Sequence, residues 1–308
     1  MNYVLETINL SKRYKNQWAL KGVNMHVSKG DIYGFVGENG SGKTTVIRLV
    51  TGLIFATEGH VKLFGVQDDS SEILNQRKKV GAIVETPSIY MNMTATENLR
   101  LQSTILGIKD GVDEKIQAIL SEVGLSDQIN TKKRAGNFSL GMRQRLGIAM
   151  ALLGEPELII LDEPMNGLDP AGIVEIRELI LRLNREKEIT FLISSHVLSE
   201  LALVATKYGI ISKGVIVKEI STGQLNLECR PSILIEAKDK EKLITVVEKL
   251  VNSGDFTVTG LGVRIYGDVK LNDLLKQIID QVEIDNIVCS KSSIEDYYLS
   301  LIGGASRV

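Results

Sequence analysis

Cysteine is scarce: Cys229 and Cys289 are the two in 308 residues. That excludes a disulfide framework and a cysteine-based zinc site, and it suits a reducing compartment. Long hydrophobic runs are also missing. The most apolar stretches, Ile148 to Leu153 and Leu158 to Leu161, fall far short of the roughly 20 residues that a membrane-spanning helix needs. The first residues, Met1-Asn2-Tyr3-Val4-Leu5-Glu6, lack the basic stretch and apolar run of a signal peptide. A cytoplasmic location is therefore expected, with any membrane role reached through a partner. No charge sign dominates, since 36 Lys plus Arg face 38 Asp plus Glu, so nothing announces a nucleic-acid binder. Proline is rare too. Of the five, Pro87, Pro156, Pro164 and Pro170 flank the motifs described below, and Pro231 suggests a boundary.

What is present is ordinary globular material. Hydrophobic residues make up 44% and charged residues 24%, which fits a folded, soluble chain long enough for one large domain or two. Up to about residue 224, short apolar runs (Ile32 to Val36, Val80 to Val84, Leu158 to Leu161, Thr190 to Ser194) alternate with helical patterns. This predicts an α/β domain with a mostly parallel sheet. Val4 to Leu10 and Val23 to Val27 suggest an added antiparallel layer. From about 88 to 155 the pattern reads as a helical insertion, with helices at Ala95 to Leu106, Asp113 to Val123 and Ser139 to Leu153. From 225 to 308 the order β-α-β-β-α-β, closed by a helix at Ile294 to Leu301, predicts a small ferredoxin-like accessory domain.

Gly37-Glu38-Asn39-Gly40-Ser41-Gly42-Lys43-Thr44 fits G-x-x-x-x-G-K-[ST] between a predicted strand and a helix beginning at Thr45. Glycines let such a loop wrap a polyphosphate with its backbone amides. Lys43 is placed for the β and γ phosphates and Thr44 for Mg²⁺. Leu158 to Leu161 runs into two adjacent acids, Asp162 and Glu163, at the strand end where a parallel sheet opens its crevice. Asp162 is placed for the metal shell and Glu163 for the attacking water. The strand at Thr190 to Ser194 likewise delivers His196 to the γ-phosphate or the water, whereas His26 and His60 read as surface or packing residues. Ser139 is a good N-cap, which alone supports only helix initiation.

Together these motifs resemble the ATP-binding-cassette ATPases over roughly residues 3 to 222. The signature would be Ser139 to Met142, and Asn166-Gly167-Leu168-Asp169 is similar to the loop that links two sites in that family. The resemblance implies the P-loop NTPase fold of the ABC type, ATP and Mg²⁺ as cofactors, and an adenine contact at Tyr14. It also implies ATP contacts through Gly37, Asn39, Gly40, Ser41, Gly42, Lys43, Thr44 and Thr45. Ser139, Gly141, Met142 and Asp169 would act in a head-to-tail dimer of two copies, and Thr44, Asp162 and Glu85 would serve the metal. An integral-membrane permease, encoded separately, would dock near Ser88 to Leu106, leaving this chain peripheral on the inner membrane face.

Glu85 stands where most relatives carry Gln, and Phe138-Ser139-Leu140-Gly141-Met142 replaces the usual Leu-Ser-Gly-Gly-Gln. Both variants look like the ATPases of bacitracin-resistance and lantibiotic-immunity exporters. The tail from Ser293 to Gly304 is similar to the bacitracin type. An exporter of another cargo (lipid, polysaccharide or ion) is an alternative, as is a soluble cassette of translation or DNA repair.

Overall fold

The computed structural model describes residues 3–252, 254–260, 262–267, 271–290 and 294–304. Of the tail motif, Ser293 lies outside the described residues. The chain forms two compact units, Met1–Thr222 and Gly223–Val308.

In the first unit, β1 (Tyr3–Tyr14), β2 (Gln17–Ser28), β4 (Glu58–Leu63) and β5 (Val66–Gln67) make an antiparallel sheet in the order β2-β1-β4-β5. The first two strands run well beyond the apolar runs that signal them, because Ser11 to Tyr14 and Gln17 to Lys21 continue the same hairpin ladder. A second sheet holds β3 (Ile32–Val36), β6 (Val80–Ile83), β7 (Leu158–Asp162), β8 (Thr190–Ser195), β9 (Lys207–Ser212) and β10 (Val215–Ser221), ordered β10-β9-β3-β8-β7-β6. Five of its strands are parallel, and β10 closes the edge antiparallel to β9. β3, β7 and β8 are buried along their whole length, as expected of strands covered on both faces.

Helix α1 (Lys43–Val50) starts two residues earlier than predicted, since the turn at Gly42 already directs Lys43 and Thr44 into helical geometry. Its Val46, Ile47 and Val50 join Leu5, Leu10 and Met25 of the antiparallel sheet and Phe35, Ile160 and Leu192 of the central sheet in one core. Short α2 (Ile73–Arg77) follows. The insertion consists of α3 (Ala95–Leu106), α4 (Val112–Glu122) and α5 (Leu140–Leu152), with α3 packed on both of the others. A capping box of Thr94 and Glu97 starts α3, left-handed Gly107 ends it, and Ser139 caps α5. Then come α6 (Pro170–Lys187), started by Asp169, and the short α7 (Leu198–Leu201).

α8 (Thr222–Glu228) leads into the second unit. There β11 (Ser232–Ala237), α9 (Lys240–Leu250), β12 (Phe256–Val258), β13 (Val263–Tyr266), α10 (Leu271–Ile279), β14 (Ile284–Ser290) and α11 (Ile294–Gly304) follow in chain order. The antiparallel sheet order β12-β13-β11-β14 is the ferredoxin-like arrangement. Ile233, Ile235, Val263 and Ile265 pack with Leu243 and Val247 of α9 and Ile278 of α10. No helix among the described residues is long and apolar enough to cross a membrane.

Candidate functional site

The site grows from the carboxyl ends of three adjacent strands, β3, β8 and β7. After β3 the chain turns into the loop Gly37 to Gly42. A Cβ on Gly37 would lie 2.5 Å from the Ile211 carbonyl oxygen, and Gly42 takes φ 112°, a conformation that L side chains rarely adopt. The loop thus depends on glycine for both space and backbone angle. Lys43, the first residue of α1, is 5% exposed. Its Nζ donates to the carbonyls of Gly37 at 2.6 Å and Glu38 at 3.3 Å, and lies 3.3 Å from Glu163 Oε1. A buried ammonium requires such partners.

The Thr44 hydroxyl donates to Asp162 Oδ2 at 2.9 Å, and the other oxygen, Oδ1, accepts from Ser194 Oγ at 2.5 Å. Glu163 follows Asp162 with φ 49°, left-handed for a non-glycine residue. Its Oε2 meets His196 Nδ1 at 2.8 Å. One carboxylate therefore contacts Lys43 on one side and His196 on the other. Glu200, which follows on α7, has its carboxyl pushed up by burial and by the neighbouring Glu163 charge, with His196 pulling it down.

Beside these groups lies a cleft of about 640 Å³ lined by Tyr14, Asn39, Gly40, Gly42, Lys43, Thr44, Thr45 and Glu163, with Gly37, Ser41, Asp162 and His196 not in its lining. Gln17, Trp18, Ala19, Lys213 and Gly214 also line it. The sequence reading missed these. Only the Lys213-Gly214 turn between β9 and β10, and the aromatic Trp18 near Tyr14, could have signalled them. Tyr14 is 45% exposed at the mouth. Ser41 Oγ is buried without a hydrogen-bond partner, so the loop holds a donor free for a phosphate oxygen.

The remaining predicted residues lie elsewhere. Ser139 Oγ accepts from Met142 N at 3.2 Å as the cap of α5, so it is bonded within its own helix end. Gly141 neighbours Leu168, and Asp169 accepts from Gly172 N at 3.2 Å as the cap of α6. None of these four lines the cleft. Glu85, at φ 61°, pairs with Arg48 Nη2 of α1 at 2.5 Å. His26 is more than a surface residue: its Nδ1 lies 2.8 Å from Glu219, which also accepts from the buried Tyr33 hydroxyl at 2.8 Å. His60 pairs with Asp68.

Residues 20–166 match the family model described as ABC transporter. The bacitracin transport ATP-binding protein BcrA of Bacillus licheniformis is 42% identical over 315 residues, which is 99% of this chain and 99% of that relative. The chain belongs to the ABC transporter family. This ABC protein is also 40% identical over 226 residues to the lantibiotic transport ATP-binding protein SrtF of Streptococcus pyogenes, covering 73% of this chain and 94% of the relative. A solved dimeric ATP-binding cassette in a post-hydrolysis state, bound to ADP and Pi, shares the fold with TM-score 0.63. The two are 24% identical, over 71% of this chain and 98% of that chain. The P-loop NTPase fold of the ABC type, inferred from the motifs, is therefore the fold of this ABC ATPase, which binds ATP and couples its hydrolysis to transport.

Proposed function

We propose that this ATPase drives export of peptide antibiotics of the bacitracin or lantibiotic type through a separately encoded membrane permease, giving resistance or self-immunity. The observation that carries the ATPase is the cluster at the phosphate-loop cleft, in which Glu163 contacts both Lys43 and His196 and the adjacent Asp162 accepts from Thr44. The choice of cargo rests on identity to a bacitracin transport protein that runs through both units.

In this reading ATP lies with its adenine on Tyr14 and its phosphates against the backbone amides of Gly37 to Thr45, at the positive end of α1. Lys43 neutralises the β and γ phosphates. Glu163 orients the attacking water and takes its proton, while His196 fixes the carboxylate through Oε2. The Thr44 hydroxyl and the Asp162 carboxylate are hard oxygen donors that suit Mg²⁺, which needs only one or two protein carboxylates beside the phosphates. Held there, Mg²⁺ would neutralise negative charge on the phosphates. Glu85, paired with Arg48 through Oε1, would supply a third oxygen.

Ser139, Gly141, Met142 and Asp169 act on the ATP of a second copy in a head-to-tail dimer. Their place outside this cleft and the exposed Leu140 beside them fit that role. The segment Ser88 to Leu106, whose Ser88, Gln102 and Leu106 line a groove of about 300 Å³ with β6 and α5, is the surface offered to the permease at the cytoplasmic membrane face. Nucleic acid plays no part.

The test is the inhibitory concentration of bacitracin and of a lantibiotic panel for source cells with the gene intact, deleted, and restored as Lys43→Ala. Selective sensitisation that Lys43→Ala fails to repair supports the proposal. Unchanged sensitivity overturns the cargo and leaves the ATPase.

A further inference from the structure

Ser194 plays no part in the reading above, yet its side chain touches both acids of the site. It is the fifth residue of β8, fully buried. Its Oγ lies 2.5 Å from Asp162 Oδ1 and 2.9 Å from the backbone nitrogen of Glu163. The directions of these two bonds follow from chemistry. An ionised carboxylate only accepts, so the single hydroxyl proton goes to Asp162, and an oxygen lone pair is left for the Glu163 N–H. A hydroxyl-to-carboxylate bond of this length belongs to the strong, charge-assisted class.

The geometry points to Ser194 as the positioning residue of the hydrolytic centre: one hydroxyl fixes the Asp162 carboxylate and clamps the peptide that leads into Glu163. This rests on the reading of Asp162 and Glu163 as that centre. Glu163 needs such a clamp because its backbone is held at φ 49°, a strained conformation for a non-glycine residue that persists only where its surroundings over-determine it. Apart from Ser194 Oγ, the Glu163 nitrogen has only the Ser194 carbonyl, at 3.2 Å. With Thr44 on Oδ2 and Ser194 on Oδ1, Asp162 has one hydroxyl on each oxygen, which sets the plane of its carboxylate. Without Ser194 Oγ, a buried Asp162 oxygen loses its donor and the Glu163 turn is free to relax, carrying its carboxylate away from Lys43 and His196.

The experiment compares full-length parent, Ser194→Ala, Ser194→Thr and Ser194→Val. It measures phosphate release across a MgCl2 titration, binding of a fluorescent ATP analogue with Mg²⁺ and in EDTA, and thermal melting. Loss of an outer partner to a metal-site carboxylate typically costs roughly 10- to 100-fold. Ser194→Ala should therefore lower kcat and raise the Mg²⁺ needed for half-maximal turnover, each by about that factor. It should also shrink the gain in analogue affinity on adding Mg²⁺, with affinity in EDTA unchanged. Ser194→Thr should restore all three. Should Ser194→Ala fail to fold, Ser194→Thr against Ser194→Val, which differ by the hydroxyl alone, carries the same expectation. Parent-like kcat and Mg²⁺ dependence in Ser194→Ala overturn the proposal. So does a loss of EDTA affinity and melting temperature that Ser194→Thr does not reverse, because that marks a purely structural role. Glu163→Gln, run alongside, separates the two ideas: if it turns over like the parent, the reading of the centre is wrong regardless of Ser194.

Discussion

The two units bury different things. Below residue 222 the buried set includes Lys43, Asp162, Ser194, Thr190, Ser41 and Gln144 among the apolar core. In the second unit Ser232 is the one polar residue in the buried set among the described residues, and its core is aliphatic. Buried polar groups and a left-handed Glu163 oppose stability, and they are found where chemistry needs preorganised groups.

The sharpest test of this contrast is Glu163→Gln, which should lower turnover by about 10²- to 10⁴-fold while nucleotide still binds, checked by phosphate release and analogue binding. In the second unit the largest effect should be on stability instead. Ile235→Ala, at a fully buried position, should cost about 2–5 kcal/mol in unfolding experiments, with nucleotide affinity unchanged; a matching loss of affinity would break the contrast.

A third test lies in the polar network of the first unit, away from the cleft. Burial alone would raise the Glu219 carboxyl, but hydrogen bonds from His26 and Tyr33 and the nearby Lys207 charge hold it below its ordinary value. Its stabilising effect is therefore complete above the unfolded carboxylate range and is lost as pH falls through the lower folded value. Glu219→Gln should cost about 1.5–3 kcal/mol at neutral pH, and the gap from the parent in melting temperature should close as pH falls below the ordinary carboxylate range. Arg48→Ala removes only a half-exposed pair with Glu85 and should change stability by less than about 1 kcal/mol. Smallest of all, truncation from Pro231 onward should leave nucleotide affinity unchanged in a binding titration.

Much of this was legible from local signals. The phosphate loop reads from its glycine spacing because few other sequences can make that turn. The strands Ile32 to Val36 and Ser232 to Ala237 read from short apolar runs, and Ala95 to Leu106 reads from its helical pattern. The hairpin ends of β1 and β2 and the lining residues Lys213 and Gly214 did not, since pairing across the chain, rather than their own composition, holds them in place. Ser194 was hidden for the same reason. A serine in an apolar strand has no local signature, and its meaning depends on β7 lying beside β8.

The sequence by itself determined the family, the two-unit order and the residue types of the centre, because loop-forming glycines and strand-end acids carry their geometry in short stretches of chain. Only the tertiary structure decided which partners those residues have: Glu163 between Lys43 and His196, Asp162 between Thr44 and Ser194, and Glu85 on Arg48. Those pairings join positions up to 120 residues apart, from Lys43 to Glu163, and they arise from the parallel sheet order that sets the carboxyl ends of β3, β8, β7 and β6 in a row.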